Sequence, residues 1–197
     1  LAGLGLTLSK ITGKRINYIV LEGHGREEID SNIDITRTVG WFTTIYPVRL
    51  EIGEGLGNSI KNIKESLRQI PNKGIGYGAL IGYKESVLPK ISFNYLGQFD
   101  KEDENKSLMQ LVTNSDNWRI VNESSGVSIN FANQDQNTLG INGFVIDNRL
   151  QFNITSRLDE DTTTKITKLF KQKLEEIINH TVGQTRSYLT VSDIMEN

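Results

Sequence analysis

The chain has 197 residues, 37% hydrophobic and 23% charged, which is enough for one large domain or two small lobes with a real core. Its formal net charge of -2 gives no basic field for nucleic acid or an anionic membrane surface, and no apolar run approaches the ~20 residues of a membrane span. The sequence contains no cysteine, which excludes disulfides and cysteine-bound metals, and a cytoplasmic location is expected.

The first predicted elements are a helix and two strands. Residues 1–12 read as the back half of a helix that ends near Gly13, and the pattern starts without a cap, so we expect a fragment of a longer protein. A strand is predicted over residues 16–24. A long strand is predicted over residues 38–52, with an edge, bulge or bend at Pro47 because proline cannot donate to a sheet ladder.

Two amphipathic helices are predicted from their apolar stripes. The first carries Leu56, Ile60, Ile63, Leu67 and Ile70, which step by four and three residues, and Pro71 stops it. The second starts near Asp161, ends at Gly183 and is predicted to bury Ile166, Leu169, Phe170, Leu174, Ile177 and Ile178.

Between these helices the sequence predicts further strands. They cover residues 90–98 and 127–132, and a hairpin pairs 139–146 with 149–156 around Asp147-Asn148. Residues 100–107 are predicted to form a solvated loop. The order predicts an α+β fold, in which two long helices cover mainly one side of a mixed sheet.

The stretch VLEGHGREE (residues 20–28) brings charge to the end of an apolar strand. Alternate strand residues share a face, so Glu22, His24 and Arg26 would point the same way if the strand persists. The glycines between them would leave room for a substrate. A glutamate beside an arginine stays ionised, whereas a dry pocket raises its pKa and lets it carry protons. Spacing alone favours a salt-bridged pair at a surface strand end.

Other candidate sites have weaker support. GIGYG (residues 74–78) follows a helix and lacks the Lys-Ser/Thr of an ATP-binding loop, so a tight crossover with close backbone packing is favoured. The two histidines, His24 and His180, have no metal-ligand spacing, and no metal site is predicted. The remaining aromatic side chains are predicted to line the core and a cleft; they are Trp41, Phe42, Tyr46, Phe93, Tyr95 and Phe99.

Four sequence blocks, taken together, are more specific than the spacing of single residues. They are LEGHGRE (21–27), RTVGWFTTIYP (37–47), PNKGIGYG (71–78) and FNYLGQFD (93–100). In this order they resemble the C-terminal half of an epimerization domain of a nonribosomal peptide synthetase. The resemblance implies one lobe of a fold similar to chloramphenicol acetyltransferase, in which two lobes flank a channel. Residues 1–187 would be the C-terminal lobe, with 1–14 the end of a truncated helix, and 188–197 a linker or tail.

The resemblance also implies a reaction and its residues. The substrate is an aminoacyl or peptidyl thioester on the 4'-phosphopantetheine of a carrier domain, and its Cα proton is removed and returned, with no directly bound cofactor and no metal. The catalytic residues would be Glu22, one of two groups facing the Cα, Arg26, which would orient or tune it, and Asn94 and Tyr95, which would lie near the site and bind or stabilise the enolate-like intermediate. The channel for substrate and phosphopantetheine would be lined by His24, Trp41, Tyr46, Gly76 and Tyr77.

The second proton-transfer group of that family is a histidine in a His-His-x-x-x-Asp-Gly block, which this chain lacks. We therefore expect the isolated chain to be inactive and to need the missing N-terminal lobe. Its other expected partners are an upstream peptidyl carrier domain and a downstream condensation domain, with no nucleic acid and no membrane. Two alternatives stay open: a non-catalytic docking lobe for carrier domains, and a fragment of a peptide-bond-forming condensation domain.

Overall fold

The structure is a computed structural model that describes residues 1–82, 87–99, 123, 126–127, 130, 132–133, 135–146 and 148–195. In chain order its elements are α1 (Ala2–Thr12), β1 (Ile16–Gly23), β2 (Thr44–Glu51), α2 (Leu56–Arg68), a turn over Pro71–Gly74, α3 (Tyr77–Ile81), β3 (Ile91–Gln98), β4 (Leu139–Ile146), β5 (Arg149–Ser156), α4 (Glu160–Val182) and α5 (Val191–Met195). No helix within these ranges is long and apolar enough to cross a bilayer.

The five strands form one mixed sheet in the order β2-β1-β3-β4-β5. The outer pairs, β1–β2 and β4–β5, are antiparallel, whereas β3 runs parallel to both β1 and β4. Pro47 of β2 lies opposite Val20 of β1. Strand β2 is an edge strand of the described sheet, which is one of the three settings that the sequence predicts for this proline. The α+β fold with a mixed sheet is confirmed.

The hydrophobic core lies between one face of this sheet and the helices. Alternate strand residues such as Ile19, Val48 and Ile141 point to this face and are almost fully buried. The helices close the core from above with Leu4 and Leu8 of α1, Ile63 of α2, and Ile166 and Phe170 of α4. The predicted covering of one side by the two long helices is therefore confirmed, and α1 is a third helix on that side.

Glycines let α1 pack closely between its neighbours. A Cβ at Gly3 would lie 2.8 Å from the Leu174 side chain of α4, and one at Gly5 would lie 2.9 Å from Ile52. The helix ends at Gly13, whose φ of 71° is left-handed and whose N–H bonds the Ser9 carbonyl. The predicted end of the first helix is confirmed.

Four sequence predictions differ from the structure or fall outside it. The strand predicted over 38–52 starts only at Thr44, and residues 24–43 are irregular. The predicted loop 100–107 lies outside the described residues, as do 128, 129 and 131 of the strand predicted at 127–132, whose described members are not in a strand. In α4, Ile178 is 53% exposed and does not belong to the buried face.

The C-terminal segment packs against α2. The carboxylate of Asp193 pairs with Lys64 and Arg68, and the Ser192 hydroxyl donates to Glu65 at 2.7 Å. Lys64, together with the Thr190 backbone N–H and Arg68, holds the pKa of Asp193 well below its usual range. These contacts hold the C-terminal segment against α2.

Candidate functional site

Glu22 lies on the sheet face opposite the core. Its strand neighbours Ile19 and Leu21 point to the core, and the Glu22 side chain is exposed. Asn94 of the adjacent parallel strand β3 donates its amide Nδ2–H to Glu22 Oε2 at 3.3 Å. The amide therefore holds an accessible carboxylate in one position on a rigid sheet.

Glu22 and Asn94 form part of the floor of a cleft of about 420 Å³. The remaining lining residues come from strands β1 to β4 and from the segments that precede β3 and β4. They are Val20, Ile45, Ser92, Phe93 and Asn142 on the strands, and Leu88, Pro89, Lys90, Asp135, Gln136 and Asn137 around them. A volume of this order admits a small acyl group rather than a macromolecule.

Arg26 organises the irregular segment that follows β1. Its guanidinium donates to the carbonyls of Ile35 at 3.1 Å, Thr38 at 3.0 Å and Gly40 at 3.4 Å, and it stacks on the Phe42 ring at 4.2 Å. Within the described residues none of its hydrogen bonds goes to Glu22. The geometry thus links Arg26 to the irregular segment between β1 and β2 rather than to the carboxylate itself.

The charged end of β1 is not a continued strand. The strand stops at Gly23, and Gly25 has a φ of 66°, which a residue with a side chain rarely adopts. A Cβ at Gly25 would fall 1.6 Å from the Phe42 carbonyl oxygen, so only glycine fits this approach. Glu22, His24 and Arg26 therefore do not share one strand face.

His24 belongs to a polar cluster behind the strand end. The Arg26 backbone N–H donates to His24 Nδ1 at 3.0 Å, so His24 Nε2 carries the hydrogen that meets Glu27 Oε1 at 2.9 Å. Glu27 also pairs with Lys73 at 2.9 Å. This cluster ties the segment after β1 to the turn at Pro71–Gly74.

Tyr46 packs beside this cluster on the core side of the sheet. Burial raises the pKa of the Tyr46 phenol, the nearby Glu27 carboxylate raises it further, and Lys73 opposes the shift. A Cβ at Gly74, whose φ is 81°, would lie 2.3 Å from the Tyr46 ring. This contact agrees with the prediction that the glycine-rich stretch is a close-packed crossover.

Tyr95 is on the core face of the sheet and Asn94 on the cleft face, because successive strand residues alternate. Tyr95 lies opposite Gly143, in the row of Phe152, and Phe152 packs on Phe170 of α4 with the ring centroids 5.0 Å apart. The structure therefore brings Asn94, but not Tyr95, to Glu22.

The five predicted channel residues lie outside the lining of the Glu22 cleft, as far as the structure describes it. Trp41 is 90% exposed, Tyr46 is buried in the core, and Tyr77 packs against the core. His24 faces Glu27, and Gly76 precedes α3. In the described part of the chain, no group of three or more His, Asp or Glu side chains is arranged so that it could hold a metal ion.

Ser92 and Asn142 are among the cleft residues that were not predicted from the sequence. Asn142 lies beside Asn94 in the parallel β3–β4 register, and Ser92 lies opposite Gly140. One sequence signal was available, because asparagine is depleted in strand interiors and Asn142 interrupts the apolar pattern of its strand. The pairing that joins it to Glu22 depends on contacts between distant parts of the chain.

The fold is shared with solved domains of known class. A condensation domain that mediates chain release from the enacyloxin polyketide synthase is similar over 96% of this chain and 37% of that one, with a TM-score of 0.55 and 7% identity. The chain belongs to the condensation domain family, which it matches over residues 1–196.

Two relatives are more similar in sequence. The crystal structure of the epimerization domain from the third module of tyrocidine synthetase B is 31% identical, covers 93% of this chain and 41% of that chain, and has a TM-score of 0.76. Bacitracin synthase 3 of Bacillus licheniformis is 39% identical over 93% of this chain. The chain spans only 3% of the length of that synthase.

Proposed function

We propose that this chain is the C-terminal lobe of an epimerization domain in a nonribosomal peptide synthetase, with residues 1–187 as the lobe and 188–197 as the linker. Similarity supports this choice within the family. Identity is 31% with a TM-score of 0.76 to the tyrocidine epimerization domain, against 7% and 0.55 to the enacyloxin condensation domain. The reaction would convert an L residue to D on a carrier-bound phosphopantetheine thioester.

The observation that carries the proposal is the Glu22–Asn94 pair on the cleft floor, with its 3.3 Å hydrogen bond. A thioester acidifies the neighbouring Cα–H, so a well-placed carboxylate can take the proton without a metal or a bound cofactor. Asn94 holds the carboxylate in one orientation, which is what proton transfer at a fixed carbon requires.

The proton balance defines the role of each group. One group takes the Cα proton, the electron pair moves toward the thioester oxygen, and a second group on the opposite face returns a proton to the same carbon. Glu22 would be one of the two groups. The other would come from the N-terminal lobe, so the isolated chain would not turn over substrate.

The segment after β1 supplies a surface for that N-terminal lobe. It exposes four large apolar side chains, and Val39 and Trp41 are 99% and 90% exposed; the others are Ile29 and Ile33. Arg26 and Gly25 hold this segment at the end of β1, the strand that carries Glu22, so contact with the second lobe would be transmitted to the site through β1. The upstream carrier domain would deliver the thioester and a downstream condensation domain would accept the product.

The test uses the complete domain, meaning this chain with its N-terminal lobe, together with its carrier loaded with an L-aminoacyl or L-peptidyl thioester in D₂O. We expect deuterium at Cα and a mixture of L and D products. Glu22→Gln keeps the shape and a hydrogen bond acceptor for Asn94, and it should abolish the conversion of L to D. Glu28→Gln, an exposed glutamate in the same segment, is the matched control and should leave it unchanged.

Each other outcome identifies a different function. Peptide bond formation without Cα deuterium would assign the chain to a condensation domain. Binding of the carrier domain without either epimerization or peptide bond formation would indicate a non-catalytic docking lobe. Turnover by the isolated chain would contradict the need for a second lobe.

A further inference from the structure

A row of polar side chains crosses the cleft face of the sheet beside Glu22. Asn94 lies opposite Asn142 on β4, and Asn142 lies opposite Asn153 on β5. Asn94 and Asn142 are half-buried and line the cleft, whereas Asn153 is exposed and does not. The row therefore begins at the proposed proton-transfer group and runs along the cleft floor.

Asn142 differs from Asn94 in having a free side-chain amide. Asn94 donates to Glu22, whereas no hydrogen bond to the Asn142 amide exists among the residues that the structure describes. The Asn142 amide thus offers a donor and an acceptor to a molecule in the cleft.

Resting on the proposed function, we propose that Asn142 binds the amide group on the Cα of the substrate, so that this chain acts on peptidyl rather than free aminoacyl thioesters. An asparagine side chain carries the same donor and acceptor as a peptide group, and its amide N–H can donate to the carbonyl of the substrate amide. A free α-amino group lacks the carbonyl that such an amide would bind.

The spacing of the strands supports this assignment. Glu22 on β1 and Asn142 on β4 are two strands apart, so their backbones are separated by about 9.6 Å at the usual strand spacing. A carboxylate oxygen about 3 Å from the Cα, a peptide carbonyl oxygen about 3 Å from that carbon and a hydrogen bond of about 3 Å can together bridge at most about 9 Å, so one bound residue can reach both side chains. The first amide of the phosphopantetheine arm lies several bonds farther from the Cα, beyond the thioester sulfur, and fits this distance less well.

The experiment compares Cα deuterium exchange by the complete domain on two carrier-bound thioesters, one aminoacyl and one peptidyl, with the same epimerized residue. Asn142→Ala should lower kcat/KM for the peptidyl substrate about tenfold, the effect of one neutral hydrogen bond, mainly through KM. It should leave the aminoacyl rate unchanged. Asn153→Ala, the neighbouring asparagine outside the cleft, is the matched control and should alter neither rate.

Each result decides the proposal. Equal losses of kcat/KM on both substrates would mean that Asn142 binds the phosphopantetheine arm or has a structural role. No loss on either substrate would mean that Asn142 does not bind the substrate. Both results overturn the proposal. Asn142→Ser, which keeps a short polar group, repeats the comparison if the alanine variant does not fold. If the unmodified domain exchanges no Cα proton on either thioester, the proposed function fails, and that result is distinct from a failure at Asn142.

Discussion

Replacing Arg26 with alanine tests whether this arginine acts on the loop or on the charge of Glu22. The guanidinium donates to the carbonyls of Ile35 and Thr38 at 3.1 and 3.0 Å and stacks on Phe42. Because the guanidinium is half-exposed, each of the two hydrogen bonds stabilises the closed segment by about 0.75 kcal/mol, and the stacking adds about 0.5 kcal/mol. Loss of the side chain should therefore destabilise the closed segment by about 2 kcal/mol. The open form of the segment should become about 30-fold more populated.

Hydrogen exchange at the Thr38 amide reads this opening directly, because its N–H donates to the Ile35 carbonyl at 3.0 Å. We expect exchange at Thr38 to accelerate about 30-fold in Arg26→Ala. Arg37→Ala removes the same charge from an exposed position in the same segment and should leave the Thr38 rate unchanged.

The reasoning is refuted if Thr38 exchange is unchanged in Arg26→Ala while the pH profile of Cα exchange shifts. That pattern would mean that the guanidinium sets the charge state of Glu22. If the loop reading holds, the rate of Cα exchange falls without movement of the acid limb of its pH profile.

Three further predictions concern backbone fit, core packing and the C-terminal contact. Gly25→Ala should cost much more unfolding free energy than Gly13→Ala, since both have a left-handed φ but only the Gly25 Cβ would meet a carbonyl, at 1.6 Å; equal costs in denaturant titrations would contradict this. Phe170→Ala should lower the free energy of unfolding by about 3–5 kcal/mol, whereas Ile178→Ala on the exposed side of the same helix should lower it far less; similar losses would argue against the described core. The Asp193 carboxyl has a lower pKa in the folded protein than in the unfolded one. Its contribution to stability is therefore present above the unfolded pKa of about 3.9 and is lost as the pH falls through the folded pKa. Proteolysis of the C-terminal segment should therefore be faster in Asp193→Asn than in the unmodified chain at pH 7, and the difference should narrow below about pH 4; a difference that persists in acid would refute the ion pairs as its cause.

Local patterns predicted the regular elements because those elements repeat one buried face. The stripe from Leu56 to Ile70 and the alternation on either side of Asp147-Asn148 each record a fixed period, and the structure has a helix and a strand pair there. The strand predicted at 38–52 was too long for a non-local reason. The carbonyls of Thr38 and Gly40 bond to Arg26 instead of a neighbouring strand, and no local pattern shows this.

The site depends still more on contacts between distant residues. Glu22 and Asn94 are 72 positions apart, and they meet because β1 and β3 are parallel neighbours, which periodicity does not reveal. The resemblance to epimerization domains brought both residues forward, together with Tyr95, yet strand alternation turns Tyr95 to the other face. Asn142 carried only a weak signal, since its importance arises from the register of β3 with β4.

The most direct measurement of the central claim follows Cα exchange from each enantiomer separately in the complete domain with Glu22→Gln. If one base serves each face, the variant should still exchange the Cα proton of one enantiomer of the carrier-bound thioester and should lose exchange from the other. Glu28→Gln should exchange both enantiomers as the unmodified domain does. Exchange that Glu22→Gln leaves unchanged for both enantiomers would contradict the assignment of Glu22 as a proton-transfer group.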